Sequence, residues 1–417
     1  MKRFVSIAAV VVLAALTLTA CSPATPVSGP TTMPGTGTTT TTPKPAPFKM
    51  VNKDTIFLHV TKTYDPATFP KTAMTGEPSN IPFFKPTHDE GKVNRGYPVT
   101  DAKTFKFLSL VGGTIPPQEY FMFEKNGGTL NKAVAKTGYK FSSILDEGHI
   151  KILPNLYLGY YDFAWIPLNV MTEYWSGNES MNQELWRDGN DYQIIGASYD
   201  GGISMLVPPT ITDLKQLSGK TVGIMNPSFN IESMLNKKLG TVGMATASAG
   251  GDVSIQMASP GFVLNDLMRM NNQGVFAWSI YAATVQKSKG YHELVNWKDM
   301  GYGAKVPYFV LVARKDIIEK HPDIVQTVVQ LNYNATKQAL ANPSSYEKPV
   351  LASFTAFKSK YMGFVPVVQP GLYVPDAQAN PVFMHDVVDY MTKCGYFKAP
   401  YTYSDLVNDS FYAKVKK

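Results

Sequence analysis

A strand that runs directly into a helix, within residues 220–240, is the segment that most constrains the fold of this chain. Residues 221–225 form a short run rich in β-branched side chains, which is typical of a buried strand. The turn that follows contains Asn226 and Pro227, and Gly240 stands where a helix C-cap is expected. Apolar side chains recur between them at the spacing of one helix face, at Ile231, Met234, Leu235 and Leu239.

The turn of this segment has two interpretations. A direct strand-to-helix turn leaves backbone N–H groups free at the start of the helix, and Ser228 and Asn230 stand beside them. Such a turn can hold an anionic or polar group. The alternative is an ordinary β–α unit in which the serine or the asparagine only caps its helix. The segment alone favours this alternative, so the rest of the chain must decide.

The composition is that of a two-lobed globular protein with a mildly basic surface. The chain has 417 residues, of which 44% are hydrophobic and 17% charged, and this is enough for two lobes with hydrophobic cores. The net charge of +7 is dispersed, with no basic run longer than a pair, which argues against a nucleic-acid partner. The 23 Tyr, 22 Phe and 5 Trp suit a cleft that holds a small ligand by stacking and hydrogen bonds.

The N-terminal part of the chain predicts a lipid-anchored protein outside the cytoplasm. Residues 1–20 have the basic start and apolar stretch of a secretory signal peptide. The letters L-T-A-C that end at Cys21 resemble a bacterial lipobox, which implies cleavage before this cysteine and lipidation of its thiol. A plain signal peptide with another cleavage site is the alternative. Residues 21–47 form a Thr/Pro-rich tether that can reach roughly 80 Å, and the proline-rich residues 48–100 are an N-terminal extension.

Downstream of the extension, predicted strands alternate with predicted helices, which favours a parallel-rich α/β sheet. Strands are predicted at 105–111, 140–146, 161–166 and within 192–205, and helices at 118–126 and 130–137. Ligands of such sheets bind at the carboxyl ends of the strands. The candidate ligand contacts at these ends are Gly113, Thr114, Trp165, Asn169, Gly201 and Gly202. Each also fits ordinary turn chemistry, but their recurrence at several strand ends favours a site.

The second half of the chain continues the α/β pattern. A helix is predicted at 261–272, a strand at 275–278, a further strand at 308–313, and a long helix that starts at Pro322. An aromatic side chain at the end of a strand can face a ligand, although a core position for Trp278 is nearly as plausible. The candidate ligand contacts in this half are Ser228, Phe229, Asn230, Trp278, Tyr281 and Tyr308.

The order of these pieces resembles the extracytoplasmic substrate-binding proteins of ABC importers. The most similar group is the nitrate/sulfonate/taurine group, which also includes bicarbonate and thiamine-precursor binders. The segments that carry the resemblance are D-L-K-Q-L-S-G-K-T-V-G-I (213–224) with the following N-P-S-F-N, G-V-F-A-W-S-I-Y-A-A (274–283), Y-F-V-L-V-A-R-K-D-I-I-E-K-H-P-D-I-V (308–325), and the tail at 395–411. The resemblance covers the chain from about residue 104 to the C-terminus.

The resemblance implies an α/β, periplasmic-binding-protein-like type 2 fold, with two lobes of mixed sheets and a ligand cleft between them. The first lobe would comprise residues 101–206 and return at 308–417 with C-terminal helices, while the second would comprise 207–307. Hinge crossings would lie near 205–209 and 306–309, and the lobes would close on the ligand. The implied partners are a small-molecule ligand and an ABC permease with its ATPase; the protein would be a monomer without a cofactor.

The sequence also departs from the group. Ser279 and Ile280 stand where the family-like W-E-P-Y turn has Glu and Pro, and no Arg or Lys lies in the candidate strand-end loops. An oxyanion would therefore depend on Ser228, Thr114 and backbone N–H groups. A sulfonate, an oxyanion and a thiamine precursor stay open as ligands, together with a neutral or aromatic compound.

The sequence contains no pattern that predicts an enzyme or a metal site. Phosphate-binding, zinc-protease, nucleophile-elbow and C-x-x-C motifs are missing, and the six histidines are dispersed. Some proteins of this fold are enzymes with a nucleophilic cysteine or a Cys-rich motif, but Cys394 lies at a late helix end. A lipid-anchored enzyme or sensor without transport is the main alternative, and a structural lipoprotein is a third. The ligand, the number of membranes of the cell, and the roles of residues 48–100 and Cys394 are left open.

Overall fold

The computed structural model describes most of the chain from residue 103 onward. The described ranges are 103–110, 117–124, 128–146, 148–157, 159–176, 191–224, 228–257, 273–278, 290–342, 373–397 and 400–417. They belong to one compact unit, Pro43–Lys417. The predicted signal peptide, tether and extension lie outside the described residues, as do Cys21, Gly113, Thr114, Tyr281 and the helix predicted at 261–272. Within the described ranges, no helix is both long and apolar enough to cross a membrane.

The framework of the unit is a pair of mixed sheets. The described strands are β1 (Thr104–Leu110), β2 (Lys140–Asp146), β3 (Phe163–Pro167), β4 (Tyr192–Gly201), β5 (Ile203–Val207), β6 (Thr221–Ile224), β7 (Ser254–Met257), β8 (Gly274–Trp278), β9 (His292–Asn296), β10 (Pro307–Arg314) and β11 (Tyr373–Pro375). The strands predicted from the β-branched and apolar runs are confirmed, with small differences at their ends. The region predicted as a strand pair within 192–205 is instead one long strand, β4, followed by a strand of the other sheet.

The first sheet has the strand order β11-β4-β10-β3-β1-β2, and the second has the order β7-β6-β8-β5-β9. In the first sheet β1 is parallel to β2 and β3, whereas β10 is antiparallel to β3 and β4. In the second sheet β6 is parallel to β7 and β8, whereas β5 is antiparallel to β8 and β9. Each sheet thus has a parallel part built from β–α units and an antiparallel part through which the chain enters or leaves the other sheet.

Helices connect and cover these strands. The described α-helices are α1 (Pro117–Glu119), α2 (Leu130–Val134), α3 (Gly148–Tyr157), α4 (Leu168–Ser176), α5 (Phe229–Gly240), α6 (Lys315–Lys320), α7 (Pro322–Ala341), α8 (Pro381–Lys393), α9 (Tyr403–Leu406) and α10 (Ser410–Ala413). The helix predicted at 118–126 is a single α-turn that continues as a π-helical turn, Tyr120–Glu124. The predicted start of α7 at Pro322 is confirmed, because the first residue of a helix needs no N–H donor.

The chain passes from the first sheet to the second at Gly201 and Gly202. Their φ angles of +99° and +79° lie in the left-handed region, which glycine adopts without steric cost. The backbone N–H of Gly201 donates a hydrogen bond of 2.8 Å to the carbonyl of Val306, on the returning connection. The crossing expected at 205–209 is therefore too late in the chain, because β5 already pairs with β8 and β9 of the second sheet.

The core of the first sheet is aromatic and contains one buried asparagine. The ring of Phe107 lies 4.2 Å from the ring of Trp165, centroid to centroid. The indole N–H of Trp165 donates to Oδ1 of Asn332 in α7 at 3.0 Å, and Nδ2 of this asparagine donates to the carbonyl of Ala197 in β4 at 2.8 Å. This chain of contacts attaches α7 to β3 and β4, and both amide atoms of Asn332 and the indole N–H of Trp165 have a partner in it.

The C-terminal segment links the two sheets once more. After β11 has paired with β4, helix α8 packs against α5 of the second sheet, where Nζ of Lys237 lies 2.6 Å from Oδ2 of Asp386. The chain then returns to the first sheet, where the N–H of Asn408 donates to the carbonyl of Ile194 in β4 at 2.8 Å. Residues 373–417 therefore make contacts with elements of both sheets.

A buried ion pair lies at the C-terminal end of β10. Nη2 of Arg314 lies 3.0 Å from Oδ1 of Asp162, and Nη1 donates to the carbonyl of Gly159 at 2.7 Å. The other carboxylate oxygen of Asp162 accepts the N–H of Lys106 at 2.7 Å. Because both charged groups are largely removed from water, each depends on its partner.

We expect Arg314→Met to lower the free energy of unfolding by about 3–5 kcal/mol, because it leaves the carboxylate of Asp162 buried without its counter-charge. Lys320→Met is the matched control: its ammonium group is mostly exposed and lies 3.5 Å from Asp316, so its removal should change the free energy by less than about 1 kcal/mol. Chemical denaturation of the purified variants measures both effects. Equal losses in the two variants would contradict this account of Arg314.

Candidate functional site

The predicted contacts of the first lobe gather at one edge of the first sheet. Phe309 of β10 pairs with Pro167 of β3 on one side and with Tyr199 of β4 on the other, and Pro307 pairs with Asp200. The carboxyl ends of β3 and β4 and the start of β10 therefore lie side by side. Asn169, Gly201, Gly202 and Tyr308 all come from this edge.

Elements of both sheets meet at this edge through two helix N-termini. Helix α4 begins directly after β3, and α5 begins soon after β6 of the second sheet. The hydroxyl Oγ1 of Thr172 in α4 lies 3.4 Å from Oδ1 of Asn230 in α5 and 3.0 Å from the carbonyl of Asn169. The first turns of the two helices are thus joined by a buried side-chain contact, and Asn169 lies at the junction between elements of the two sheets.

Asn169 has an unusual environment for a buried amide. Its side chain is 2% exposed, yet neither Oδ1 nor Nδ2 has a hydrogen-bond partner among the residues that the structure describes. A buried polar group without a partner costs about 1–3 kcal/mol of desolvation free energy. Such an amide is expected where a ligand or bound water completes the hydrogen bonds.

The start of α5 does not match the simple capping alternative. Ser228 is buried and precedes the helix, but its side chain makes no capping hydrogen bond within the described part of the chain. Its backbone carbonyl accepts the N–H groups of Ile231 and Glu232, each at 3.0 Å. The side chain of Asn230 is directed to Thr172 of the other lobe instead of to its own helix. This geometry favours the interpretation of the turn as part of a site.

A buried carboxyl pair lies at the end of β4, beside the crossing. Asp200 and Asp376 are 2% and 4% exposed, and Nζ of Lys305 lies 2.8 Å from Oδ2 of Asp376. Burial raises the pKa of Asp200 well above its usual range, and the charge and hydrogen bond of Asp376 raise this pKa further. Oδ1 of Asp200 has no hydrogen-bond partner within the described ranges. The raised pKa favours the protonated form of Asp200, and one oxygen of its carboxyl, Oδ1, is left without a partner among the described residues.

With this geometry in place, the comparisons with known proteins identify the central part of the chain. Residues 198–346 match the model of a family described as NMT1/THI5 like. Residues 198–346, called the NMT1/THI5-like domain below, are the part of the chain that is similar to this family. None of the curated proteins matches the sequence. The matched residues include both crossings between the sheets, α5, β8, β10 and α7.

Solved structures show the fold of the larger part of the chain. A periplasmic sulfonate-binding protein, SsuA, from Methylobacillus flagellatus KT is similar with a TM-score of 0.50 and 16% identity, over 76% of this chain and 94% of that one. The ligand-binding component of an ABC-type import system from Staphylococcus aureus, with zinc bound, has a TM-score of 0.50 and 15% identity, over 75% and 99%. The alkanesulfonate-binding protein SsuA from Xanthomonas axonopodis pv. citri, bound to MOPS, has a TM-score of 0.50 and 12% identity, over 75% and 100%. The predicted periplasmic-binding-protein-like α/β fold is therefore confirmed.

Three further predicted contacts belong to the NMT1/THI5-like domain and surround the same region. Phe229 is buried, and its ring centroid lies 4.3 Å from that of Tyr396. Trp278 ends β8, where its backbone pairs with Ile203, the residue after Gly202. Tyr308 is buried at the start of β10. The backbone thus places Trp278 beside the crossing between the sheets.

Trp165 differs from the other predicted contacts. It is fully buried and has its indole N–H bonded to Asn332 of α7. These contacts place it in the core behind the site. Trp165 lies at a strand end, which suggested a ligand contact, but its indole attaches α7 to the sheet.

Sequence reasoning missed a buried carboxylate in the NMT1/THI5-like domain. The carboxylate of Glu232 in α5 accepts a hydrogen bond from Tyr390 at 2.9 Å and from Tyr396 at 3.0 Å, and Tyr390 lies 2.8 Å from Oγ1 of Thr246. Burial raises the pKa of Glu232. The only signal in the sequence was an acidic residue on the apolar face of a predicted helix. Among the described residues, no group of acidic, His or Cys side chains could hold a metal ion.

The raised pKa of Asp200 predicts a characteristic pH dependence of stability. The folded chain holds the proton of this carboxyl more tightly than the unfolded chain, whose carboxyl titrates near 3.8, so the contribution of Asp200 is greatest below pH 4 and declines as the pH rises. We expect the free energy of unfolding of the parent protein, relative to Asp200→Asn, to fall above pH 4 by up to about 1.4 kcal/mol per pH unit.

Asp405→Asn is the control, for which the change of the unfolding free energy with pH has the opposite sign. Hydrogen bonds from Thr402 lower the pKa of Asp405, so its contribution is present at neutral pH and is lost as the pH falls through the lowered pKa. Chemical denaturation from pH 3 to 8 measures both difference curves. A flat curve for Asp200→Asn would contradict the raised pKa of Asp200.

Proposed function

We propose that this protein is an extracytoplasmic solute-binding lipoprotein that captures a small molecule between its two lobes and delivers it to an ABC importer. The observation that carries this proposal is the unpartnered amide of Asn169, buried where the first turns of α4 and α5 meet. The fold shared with binding proteins of ABC-type import systems supports the same function. The NMT1/THI5-like domain contains the crossings about which such lobes would close.

The proposed hinge is the group of connections between the sheets. Its first part is Gly201 and Gly202, and its second is the segment that ends at Val306. Its third part follows β11, where Nδ2 of Asn380 donates to the carbonyl of Lys305 at 2.8 Å. Because these parts are bonded to one another and lie on one side of the site, rotation about them can open and close the opposite side.

The position of this hinge defines the bounds of the two proposed lobes. We propose a first lobe from residue 101 to the crossing at 202, a second lobe up to 307, and a return to the first lobe over 308–417. Helix α8 belongs to this return in the sequence but packs on the second lobe. The proposed protein acts as a monomer.

The proposed ligand contacts come from both lobes. They are Gly113, Thr114, Asn169, Gly201, Gly202, Ser228, Phe229, Asn230, Trp278, Tyr281 and Tyr308. We leave Trp165 out, because its polar atom is bonded to Asn332 and its ring is buried in the core. An ABC permease and its ATPase are the proposed partners that receive the ligand.

The proposal assigns binding and no catalysis to this protein. Cys394 is the C-cap residue of α8 and is partly buried there, at the end of a helix that packs on the outer helix α5. The side chains in contact at the junction of α4 and α5 are Thr172 and Asn230, and no cysteine lies there among the described residues.

Native mass spectrometry of protein purified from its own organism tests the proposed function. We expect one small-molecule adduct per chain, and a smaller radius of gyration by X-ray scattering with the compound than after its removal. A chain that carries no compound and keeps one radius of gyration under all conditions would overturn the receptor function.

We expect Ser228→Ala and Trp278→Ala to weaken binding of the recovered compound by about tenfold or more, since each removes a contact made at the start of α5 or the end of β8. Isothermal titration calorimetry measures the affinity. Unfolding of the ligand-free variants should stay close to that of the parent protein. An unchanged affinity in both variants would contradict the placement of the site.

The lipid anchor is tested at Cys21. We expect Cys21→Ser to abolish incorporation of labelled palmitate and to release the protein from the membrane fraction, because the thiol is the proposed attachment atom. Cys394→Ser is the matched control and should leave both unchanged, since this cysteine is the C-cap of α8. Membrane retention of Cys21→Ser would refute the anchor.

A further inference from the structure

The buried polar atoms at the junction of the lobes carry information about the ligand itself. The inference rests on the proposed function, since it assumes that the ligand completes the hydrogen bonds of this site. Asn169 offers a donor, Nδ2, and an acceptor, Oδ1, and both atoms are without a partner within the described residues. Asp200 offers a further unpartnered acceptor, Oδ1, in the same part of the structure.

The strand order of the first sheet sets the spacing of the two strand ends from which these residues come. Asn169 follows the end of β3 and Asp200 lies near the end of β4, with β10 between the two strands. Adjacent strands are about 4.8 Å apart, so the two strand ends are separated by about 10 Å. This span is that of a compound with one or two rings, or of a short chain.

The charges next to the site are balanced. The charge of Lys305 is paired with Asp376 at 2.8 Å, and Asp376 also raises the pKa of Asp200 through its charge and hydrogen bond. One lysine beside two carboxyl groups leaves this group without net positive charge. An anion that displaces water here would therefore be placed near a paired cation and a carboxyl pair, with no excess charge to attract it.

The unpartnered hydrogen-bonding atoms also argue against an anionic ligand that has no donor groups. Nitrate and sulfonate groups have acceptor oxygens only. Either group could accept from Nδ2 of Asn169, but its oxygens would face the acceptor Oδ1 of the same amide. This buried acceptor would stay unpaired, and repulsion would add to its desolvation cost.

We propose that the ligand of this protein is a neutral molecule with an amide-like edge, on which a hydrogen-bond acceptor and a donor stand side by side to pair with Asn169. A carboxamide, a lactam or a ureide has such an edge. A further N–H or O–H of the ligand donates to Asp200. The sulfonate named for the structurally similar binding proteins does not fit these atoms.

The test combines identification of the bound compound with a substitution that keeps the shape of the side chain. Parent protein, Asn169→Leu and Asn332→Leu are purified from the native organism without added ligand, and the bound compound is released and identified by mass spectrometry. Asn332→Leu is the matched control, because its amide is buried but bonded to Trp165 and to the backbone of β4.

The expected result is a neutral compound with adjacent donor and acceptor groups, bound by the parent protein and by Asn332→Leu, and bound at least about tenfold more weakly by Asn169→Leu. A sulfonate, nitrate or other donor-free anion in the parent protein would overturn the inference and leave the receptor function intact. Equal retention by Asn169→Leu would also overturn it.

The ligand-free proteins supply a second, independent measurement. We expect Asn169→Leu to unfold at the same or a higher denaturant concentration than the parent protein, since it removes an unpaired buried amide, and Asn332→Leu to unfold at a lower one. A lower midpoint for Asn169→Leu, similar to that of Asn332→Leu, would show that the amide is structural and would overturn the inference. This measurement decides the role of Asn169 even if the parent protein carries no compound, an outcome that would count against the receptor function instead.

Discussion

The hydrogen bond from the N–H of Gly201 to the carbonyl of Val306 is the contact on which the arrangement of the two sheets depends. It joins the connection from β4 to β5 to the connection that leads into β10, at the point where the chain passes between the sheets. Two glycines with positive φ make the outgoing connection short enough for this contact. Because β4 and β10 pair on one side of it and β5 begins on the other, the antiparallel parts of both sheets are held at one place.

The site lies beside this junction. Two buried asparagines at and behind the site have opposite roles. Asn332, behind the site, has both amide atoms bonded and stabilises the packing of α7 on the first sheet. Asn169, at the junction, is equally buried and has neither atom bonded within the described residues. The same side chain therefore serves structure in one position and is unsatisfied in the other. Unsatisfied buried groups of this kind are tolerated where function requires them.

The sequence predicted most strands and the long helix α7, because β-branched runs, proline at a helix start and apolar periodicity are local signals. The α/β class and the strand-end position of Asn169 followed from the same signals. The position of the first crossing did not, since Ile203–Val207 has the same apolar character whichever sheet it joins. Trp165 was placed at the site from its position at a strand end, but its indole is bonded to a residue far along the chain. The pairing of Asp200 with Asp376 is also a long-range contact that no local pattern indicates.

The bond between Asn408 and Ile194 has a consequence for the synthesis of this protein. Strand β4 lies in the first sheet between β10 and β11, and its further partner arrives only with the last residues of the chain. A ribosome that has made the first three hundred residues has therefore not yet supplied the segments that complete this sheet. Pairings between segments so distant in the sequence form slowly, because loop closure must precede the contact. The first sheet can therefore be completed only after the C-terminal segment has been synthesised, whereas all the described strands of the second sheet lie within the first three hundred residues.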